Sequence, residues 1–351
     1  MAPARLRLVM DFSAWPLWLN AAIFCCSAAA VWIAGTRLAM YADVIADKTG
    51  LGHALIGMLL LGGITSLPEI VVSMTASISG NPALAVNNLL GSTAFQGVMI
   101  AVGDFALRKR ALTAVVGTPT VLLQGVFCCL LLCLVIGGIT LGDYGFAGIG
   151  LWGSAILGLS ILFLWIVANS RGREAWLPQD LPALGEIEEH EGQPKTLSKA
   201  VLLTIVVAPV IVVAGYLLAR TGGALAEQTG LGSSFVGALF VGVSTSLPEI
   251  STVLAAVRLR RYLLALSDIF GTNIINIGLI GAIDIAYRDG PVLNEVGSFS
   301  VMAAVLGIVV ILLYVAGLIE RRDRAVGPFG IDSIAVIACW LGGIAVLYTL
   351  R

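Results

Sequence analysis

The chain has 351 residues, of which 58% are hydrophobic and 12% are charged, and its formal net charge is −1. A soluble domain has roughly 45–50% apolar and about 25% charged residues, so this composition excludes an ordinary soluble protein. It also excludes a secreted disulfide scaffold and a nucleic-acid-binding protein. The composition instead predicts a protein embedded in the lipid bilayer.

Apolar runs long enough to cross a bilayer follow one another along the chain, since a spanning helix needs about 20 such residues. Ten runs are present, so we predict an all-α polytopic membrane protein with ten transmembrane helices. The first and sixth runs are long, which predicts strongly tilted or projecting helices. The predicted spans are 15–47, 53–79, 82–106, 112–138, 144–170, 197–228, 233–256, 262–286, 295–319 and 328–350.

Positive charges between the spans predict the orientation. Fourteen Lys and Arg residues lie on the side of the loops that follow odd-numbered spans, and five lie on the other side. Because positive charge is enriched in cytoplasmic loops, we predict an inner (cell) membrane location with both termini on the extracytoplasmic side. The fourteen residues are Lys48, Arg108, Lys109, Arg110, Arg171, Arg173, Lys195, Lys199, Arg258, Arg260, Arg261, Arg321, Arg322 and Arg324.

One hydrophilic segment, 171–196, interrupts the apolar pattern and is rich in glutamate and proline. Such a composition is typical of a solvated segment, so we predict a cytoplasmic linker. The linker divides the chain into two halves of five spans each, 1–170 and 197–351. A regulatory cation site in the linker is an alternative, but the segment has no ligand pattern.

The two halves are copies of each other. Shifting the sequence by 180 residues aligns Ala34–Ala106 with Ala214–Ala286 without a gap, and about a third of the aligned residues are identical. The best match is the segment Thr-Ser-Leu-Pro-Glu-Ile, which occurs at 65–70 and again at 245–250. Because each half has an odd number of spans, the second half enters from the opposite side. The sequence therefore predicts two inverted-topology five-helix repeats, the layout of many secondary transporters.

Each repeat carries one glutamate near the middle of a span, Glu69 in span 2 and Glu249 in span 7. A carboxylate at that depth costs about 2.5–3.5 kcal/mol, so such residues face a cavity or a partner and mark functional sites. A neighbouring helix could satisfy one such glutamate. Two copies related by the repeat favour a function.

A proline precedes each glutamate, Pro68 and Pro248, and proline cannot donate the helical hydrogen bond. Each proline is predicted to break its helix, to free the carbonyls of Ile64 and Ser244, and to place the glutamate in the first turn of a second half-helix. Carboxylate, carbonyl and hydroxyl oxygens suit Ca²⁺ or Na⁺ rather than soft metals. A kink that serves only packing is the alternative. The hydroxyl groups beside the two breaks belong to Thr65, Ser66, Thr245 and Ser246.

Polar side chains in spans 3 and 8 recur at every fourth residue, so each set shares one helix face. The two sets differ by a charge, because Asp268 stands where the first repeat has Asn88. We predict that these polar stripes line the ion site, with simple hydrogen bonding between helices as the alternative. The stripes are Asn88, Ser92 and Gln96 in span 3, and Asp268, Thr272 and Asn276 in span 8.

Other ionisable and thiol residues are given no role. Asp104 and Asp284 match across the repeat near span ends, where capping or hydration would account for them. Asp43, Asp47 and His53 are predicted to be interfacial or in loops. The cysteines lie inside apolar runs without metal-ligand spacing, so we expect small core residues. They are Cys25, Cys26, Cys128, Cys129, Cys133 and Cys339.

The two Thr-Ser-Leu-Pro-Glu segments are followed by Gly91-Ser92-Thr93 and Gly271-Thr272-Asn273, and with these motifs the sequence resembles the sodium/calcium exchanger family of the calcium/cation antiporter superfamily. The likeness covers both repeat segments, about 53–106 and 233–286, and the ten-span arrangement. It implies an electrogenic antiporter that expels Ca²⁺ in exchange for Na⁺ by alternating access. The repeat glutamates would then be the central calcium ligands.

The resemblance implies two further features. The hydroxyls and backbone around the two breaks, with Ser92 and Thr272, would help form flanking sodium sites, and spans 1 and 6 would form a mobile pair that slides across the ion-binding core. The sequence departs from the family pattern at Gln96 and Asn276, since neither place holds a carboxylate. Asp268 lies two turns before the second of these places, where it would either replace the missing acid or line an access path.

The sequence thus predicts a secondary active cation antiporter and not an enzyme. It would exchange Ca²⁺ for Na⁺ at a site near the membrane midplane, without a cofactor and without an obligatory protein partner. Proton-coupled exchange and a passive cation channel are alternatives. An intramembrane hydrolase would need a catalytic set that the mid-span residues do not supply, and a non-transporting scaffold with the same fold is the remaining alternative.

Overall fold

The computed structural model describes residues 12–107, 111–116, 118–146, 148–169, 193–229, 244–287, 289–320, 325–327 and 329–350. Thirteen α-helices lie in these residues. They are α1 Leu17–Thr49, α2 His53–Ile56, α3 Gly62–Thr65, α4 Leu67–Ile78, α5 Pro82–Leu107, α6 Leu112–Val115, α7 Pro119–Leu141, α8 Leu151–Ala168, α9 Leu197–Gln228, α10 Leu247–Arg258, α11 Tyr262–Ala286, α12 Ser298–Glu320 and α13 Ile331–Thr349. Two antiparallel hairpins, β1 Gly145–Phe146 with β2 Ile149–Gly150 and β3 Ala325–Val326 with β4 Phe329–Gly330, precede α8 and α13.

The predicted all-α membrane fold is confirmed. Within the described ranges, eight helices are long and apolar enough to cross a bilayer, and the bent pair formed by 53–65 and 67–78 adds a ninth. The predicted seventh span has its first part, 233–243, outside the described residues, so the count of ten is not fully tested. Most of the predicted linker, 171–192, and eight of the fourteen basic residues used for the orientation also lie outside them.

Two predicted spans differ from single straight helices. The run 112–138 contains a short helix, α6, and then α7, because Pro119 starts a new helix after extended residues at Val116 and Thr118. The run 144–170 begins with the β1–β2 hairpin, and α8 starts only at Leu151. Both differences arise at Gly and Pro residues, which hydropathy alone treats as parts of an apolar run.

The second span is broken as predicted. Helix α3 ends at Thr65, α4 begins at Leu67, and the two halves of the span meet at an angle of 47°. Pro68 lies in the first turn of α4, where its missing N–H is not needed for a helical bond. A π-helical segment, Gly57–Leu61, precedes the break, and the sequence analysis did not predict it. In the second repeat, α10 begins at Leu247 with Pro248 in its first turn.

Helices from both repeats form the centre of the bundle. The second half-helices α4 and α10 each contact both α5 and α11. Helices α5 and α11 therefore each touch one half-helix of their own repeat and one of the other repeat. Among the described spanning helices, α11 is the most enclosed, because 83% of the residues in its most apolar 18-residue stretch are buried. Only 22% of the corresponding residues are buried in α1. The inverted repeat therefore builds one shared core rather than two separate ones.

Helices α1 and α9 form a separate outer pair. They pack along each other, and Val31, Ala214 and Leu218 form a small apolar cluster of their own between them. Each approaches the core through a repeat-related glycine. A Cβ at Gly35 would overlap the Ser251 hydroxyl, and a Cβ at Gly215 would lie 2.5 Å from Cγ of Pro68.

Two buried aspartates fasten the core at its ends. Asp104 accepts hydrogen bonds from the backbone N–H groups of Leu112 (2.7 Å) and Gly330 (2.9 Å). Asp284 accepts the equivalent bonds from Val292 (2.7 Å) and Gly150 (2.6 Å). Of the two predicted explanations for these aspartates, hydrogen bonding to backbone N–H groups applies, whereas hydration does not, because both side chains are buried. Each aspartate also connects one half of the chain to a hairpin of the other half.

The expectation that all six cysteines are core residues is wrong for most of them. Only Cys128 is buried, Cys129 is partly exposed, and the other four, Cys25, Cys26, Cys133 and Cys339, are exposed. All six are free thiols. Membrane helices are apolar on their lipid-facing sides as well as inside, so hydropathy does not tell which side of a spanning helix faces the core.

Candidate ion-binding site

The two repeat glutamates lie inside the core. Glu69 and Glu249 occupy the first turns of α4 and α10, directly after the helix breaks, and each is 1% exposed. Within the described part of the chain, none of their four carboxylate oxygens has a hydrogen-bond partner. The two carboxylates are close enough to interact electrostatically. Sequence reasoning therefore placed both residues correctly in the fold.

The predicted hydroxyl groups surround these carboxylates, although they differ in their bonding. Thr65 and Ser246 are buried, and their hydroxyls lack a partner among the described residues. Thr65 lies next to Glu249, and this contact joins the break of one repeat to the glutamate of the other. The Ser66 hydroxyl donates to the carbonyl of Gly62 at 2.7 Å. Thr245 is also buried.

The polar stripes of α5 and α11 lie in the same core. Gln96 and Asn276 are 1% and 0% exposed, and neither amide group has a hydrogen-bond partner within the described ranges. Ser92 and Thr272, one turn earlier on each helix, are buried as well. Gly62 brings the first break against α11, since a Cβ there would lie 2.9 Å from the Thr272 hydroxyl. The structure thus brings both stripes beside the broken helices.

The charged member of the stripes is held by one hydrogen bond. Asp268 is fully buried, and its Oδ2 accepts a hydrogen bond from the Thr252 hydroxyl at 2.6 Å. Its Oδ1 has no partner in the described chain, and the carboxylate is close enough to Glu249 to interact with it electrostatically. In the first repeat, Asn88 donates in a similar way to the Ser73 hydroxyl at 3.0 Å.

Three functional candidates escaped the sequence analysis. The hydroxyls of Ser73 and Thr252 lie one turn after the glutamates, and that spacing was the available signal. Asn273, which follows Thr272, is 1% exposed, and its amide has no partner among the described residues. Asn87, which precedes Asn88 in the first repeat, instead accepts a hydrogen bond from Ser300 at 2.6 Å.

The side chains of this core have the chemistry that a cation site requires. Buried polar groups are normally hydrogen-bonded, and a buried group without a partner costs about 1–3 kcal/mol, more if it is charged. Here unpaired carboxylate, amide and hydroxyl oxygens cluster at two helix breaks. Such oxygens are the ligands that Ca²⁺ and Na⁺ prefer. The residues that can hold a cation are Glu69, Glu249, Asp268, Thr65, Ser66, Thr245, Ser246, Ser92, Thr272, Gln96 and Asn276.

Comparisons with known proteins agree with this geometry. The "Putative antiporter CaxA" of Alkalimonas amylolytica is 27% identical over 300 residues, which is 85% of this chain and 90% of that protein. "Inner membrane protein YrbG" of Escherichia coli is 29% identical over 248 residues, 70% of this chain and 72% of its own length.

Solved structures of the sodium-calcium exchanger NCX_Mj share the fold. One, soaked with 2.5 mM Na⁺ and 0.1 mM Sr²⁺, has a TM-score of 0.69 at 18% identity, covering 94% of this chain and 99% of that chain. Another, soaked with zero Na⁺ and Ca²⁺, has a TM-score of 0.68 at 20% identity, covering 96% and 100%. A family model described as sodium/calcium exchanger protein matches residues 19–171 and 199–348. The chain therefore belongs to the sodium/calcium exchanger family.

Proposed function

We propose that this protein is a secondary active antiporter that exchanges Ca²⁺ for Na⁺ by alternating access at a site between Glu69 and Glu249. The observation that carries the proposal is the pair of repeat-related carboxylates, each 1% exposed and each without a hydrogen-bond partner in the described chain. Two such charges in one buried core are strongly destabilising unless a cation neutralises them. A divalent cation balances both.

The same charge argument assigns a role to Asp268. A third buried carboxylate leaves one negative charge when Ca²⁺ is bound, and a Na⁺ or a proton is needed to balance it. We propose that Asp268 is a ligand of the coupling ion and takes the place of the acid that Gln96 and Asn276 lack. The hydroxyls beside the breaks, with Ser92 and Thr272, complete the oxygen ligands for Ca²⁺ and Na⁺.

The distribution of Lys and Arg supports a location in the inner (cell) membrane with both termini outside the cytoplasm. The relative named as an inner membrane protein supports the same location. The partners of the protein would be small inorganic cations and the lipid bilayer, with no cofactor. Membership of an exchanger family supports transport rather than hydrolysis.

The test is calcium uptake into everted membrane vesicles from cells that produce the protein. We expect an opposing Na⁺ gradient to drive Ca²⁺ uptake against its own gradient, and Glu69→Gln or Glu249→Gln to abolish it. Glu295→Gln is the matched control, because Glu295 is an exposed glutamate outside the core. Uptake like that of the unmodified protein in both glutamine variants would contradict the site assignment.

The same vesicles separate the alternatives. Uptake driven by a proton gradient, but not by a Na⁺ gradient, would show proton-coupled exchange at the proposed site. Flux that only dissipates an existing Ca²⁺ gradient would show a passive channel. The inverted repeat favours alternating access over a channel, because two equivalent halves can exchange their conformations to open either end of the site.

A further inference from the structure

Outside the proposed ion site, the structure assembles one more set of charged side chains. Asp43 and Asp47 lie on the last turns of α1, His53 starts α2, and Arg261 lies in the tight turn between α10 and α11. Asp43 is 3% exposed as a residue and the side chain of Arg261 is 15% exposed. The sequence analysis gave these acids and His53 no role, because their partners come from distant parts of the chain.

The bonds within this set all cross from α1 to the core. Arg261 forms ion pairs with Asp43 and, at 2.5 Å, with Asp47. His53 Nε2 lies 2.9 Å from Oδ1 of Asp43 and 3.5 Å from Asp47. Gln193, just before α9, donates to the other Asp43 oxygen at 3.3 Å. One buried aspartate of the outer pair is thus bound to both repeats of the core.

The tight turn between α10 and α11 fixes the position of Arg261. Arg260 adopts a left-handed backbone with φ of 59°, and the N–H of Arg261 donates to the carbonyl of Ala256 at 2.9 Å. This closes the end of α10 and turns the chain directly into α11. The Arg260 side chain is exposed, whereas that of Arg261 reaches back to α1. Two adjacent arginines therefore point in different directions.

The opposite end of the protein cannot form the same contacts. The repeat places Gly223 opposite Asp43 and Asn81 opposite Arg261, so neither member of the central ion pair has a charged equivalent. Glu227, the equivalent of Asp47, accepts a hydrogen bond from Ser13 at 2.6 Å instead. In an inverted repeat, the two access states are related by exchanging the halves, so an ion pair whose two residues lack charged equivalents in the other half makes the two states unequal.

We propose that Asp43, Asp47, His53 and Arg261 form a latch that holds α1 to the core at the predicted cytoplasmic end and biases the protein toward the state that is closed there. Helix α1 contacts the core through apolar residues such as Leu38 and Ile45 and, at its last turns, through these ion pairs, so movement of α1 along the core must break the ion pairs. The latch rests on the proposed alternating access. It would determine how rarely the ion site opens to the cytoplasm, although its four residues lie outside that site.

The test measures the conformational equilibrium directly. In a chain with its native cysteines replaced, spin labels are placed at Lys48 on α1 and Phe105 on α5 for one end, and at Trp18 on α1 and Ile78 on α4 for the other. All four positions are exposed. We expect Arg261→Gln to raise the population with the longer Lys48–Phe105 distance about tenfold, with a matching shorter Trp18–Ile78 distance. Arg260→Gln, an equal charge change in the same turn, should leave both distances unchanged.

A second variant tests whether the shift arises only because Arg261→Gln leaves the buried Asp43 without its arginine partner. Asp43→Asn with Arg261→Gln removes both charges of the central ion pair, and we expect its shift to be smaller than the sum of the shifts of the two single variants, because each single change already breaks the Asp43–Arg261 pair. Unchanged distances in Arg261→Gln would overturn the latch. A broader Lys48–Phe105 distance with an unchanged Trp18–Ile78 distance would also overturn it, since that result means local fraying. Additive single effects would overturn the ion pair as its cause.

These distances are measured without a gradient or transported ions. A protein that shifts its distances but does not carry Ca²⁺ would keep the latch and refute the proposed function. A protein that exchanges Ca²⁺ but shows no shift would keep the proposed function and refute the latch.

Discussion

The two repeats place identical glutamates in the first turns of equivalent half-helices, directly after a proline, yet their third helices differ in one charge. Asn88 of the first repeat bonds to the Ser73 hydroxyl, and Asp268 of the second bonds to that of Thr252. These hydroxyls are not repeat equivalents, because Ser73 corresponds to Val253 and Thr252 to Val72. The glutamates are thus symmetric, whereas the third buried carboxylate occurs in the second repeat only. Under the proposed function, the symmetric pair would bind Ca²⁺ and the single carboxylate the coupling ion.

The symmetric part of this comparison predicts equal and severe effects. Glu69→Gln and Glu249→Gln should each weaken Ca²⁺ binding at least about 100-fold, because removing one partner of a buried ionic interaction costs about 3–5 kcal/mol. Calcium-dependent vesicle uptake in both variants, beside the exposed-site variant Glu295→Gln, measures this. A tenfold difference between the two glutamine variants would mean that only one glutamate is a central ligand.

The asymmetric part predicts a change in coupling rather than in calcium binding. Asp268→Asn should bind Ca²⁺ within about tenfold of the unmodified protein but lose about one coupled monovalent ion, since one buried charge no longer needs balancing. The steepness of Na⁺ or proton dependence of uptake measures this. The matched change in the first repeat is Asn88→Asp, which should add a charge there and raise the steepness. Unaltered ion dependence in Asp268→Asn would show that Asp268 is not a coupling ligand.

The anchoring aspartates should again behave alike in the two repeats. Asp104→Asn and Asp284→Asn each replace a carboxylate that accepts two backbone hydrogen bonds, so each should lower stability by about 2 kcal/mol. Thermal unfolding of the purified protein measures the loss, with the exposed Asp289→Asn as control. A destabilisation confined to one of the two would show that the two halves are not fastened equivalently.

Alanine substitutions at the two glycines where α1 and α9 approach the core should lower the stability of the protein by small and unequal amounts. Gly215→Ala would press a methyl group on the rigid ring of Pro68 and should cost about 2 kcal/mol. Gly35→Ala meets the Ser251 hydroxyl, and adding Ser251→Ala should restore most of its stability. The same unfolding assay compares the single and double variants. Equal stability of the single and the double variant would show that this hydroxyl is not the obstacle.

Much of this architecture could be predicted from the sequence because the bilayer imposes simple rules. Predicted and observed boundaries coincide for 197–228 and 262–286, and proline chemistry placed the breaks before Glu69 and Glu249. The hairpins before α8 and α13 were missed, since short strands of Gly and aromatic residues look like parts of an apolar run. The lipid-facing cysteines were missed for a related reason, because apolar residues cover both faces of a spanning helix.

The repeat predicted which residues lie in the candidate site better than it predicted the contacts between side chains. An offset of 180 residues identified the glutamates and the stripes, which are equivalent positions. Contacts between non-equivalent positions follow from packing, either within one half, as for Asp268 with Thr252, or across the two halves, as for Arg261 with Asp43. No alignment of one half with the other contains that information, so only the three-dimensional arrangement reveals it.

The most direct test of the central claim is calorimetric titration of the purified protein with Ca²⁺, in sodium-free and sodium-containing buffer. The account predicts one Ca²⁺ site per chain, competition by Na⁺, and loss of binding in Glu69→Gln and in Glu249→Gln. Calcium binding that persists with unchanged affinity in both glutamine variants would contradict the claim that these two carboxylates share one ion.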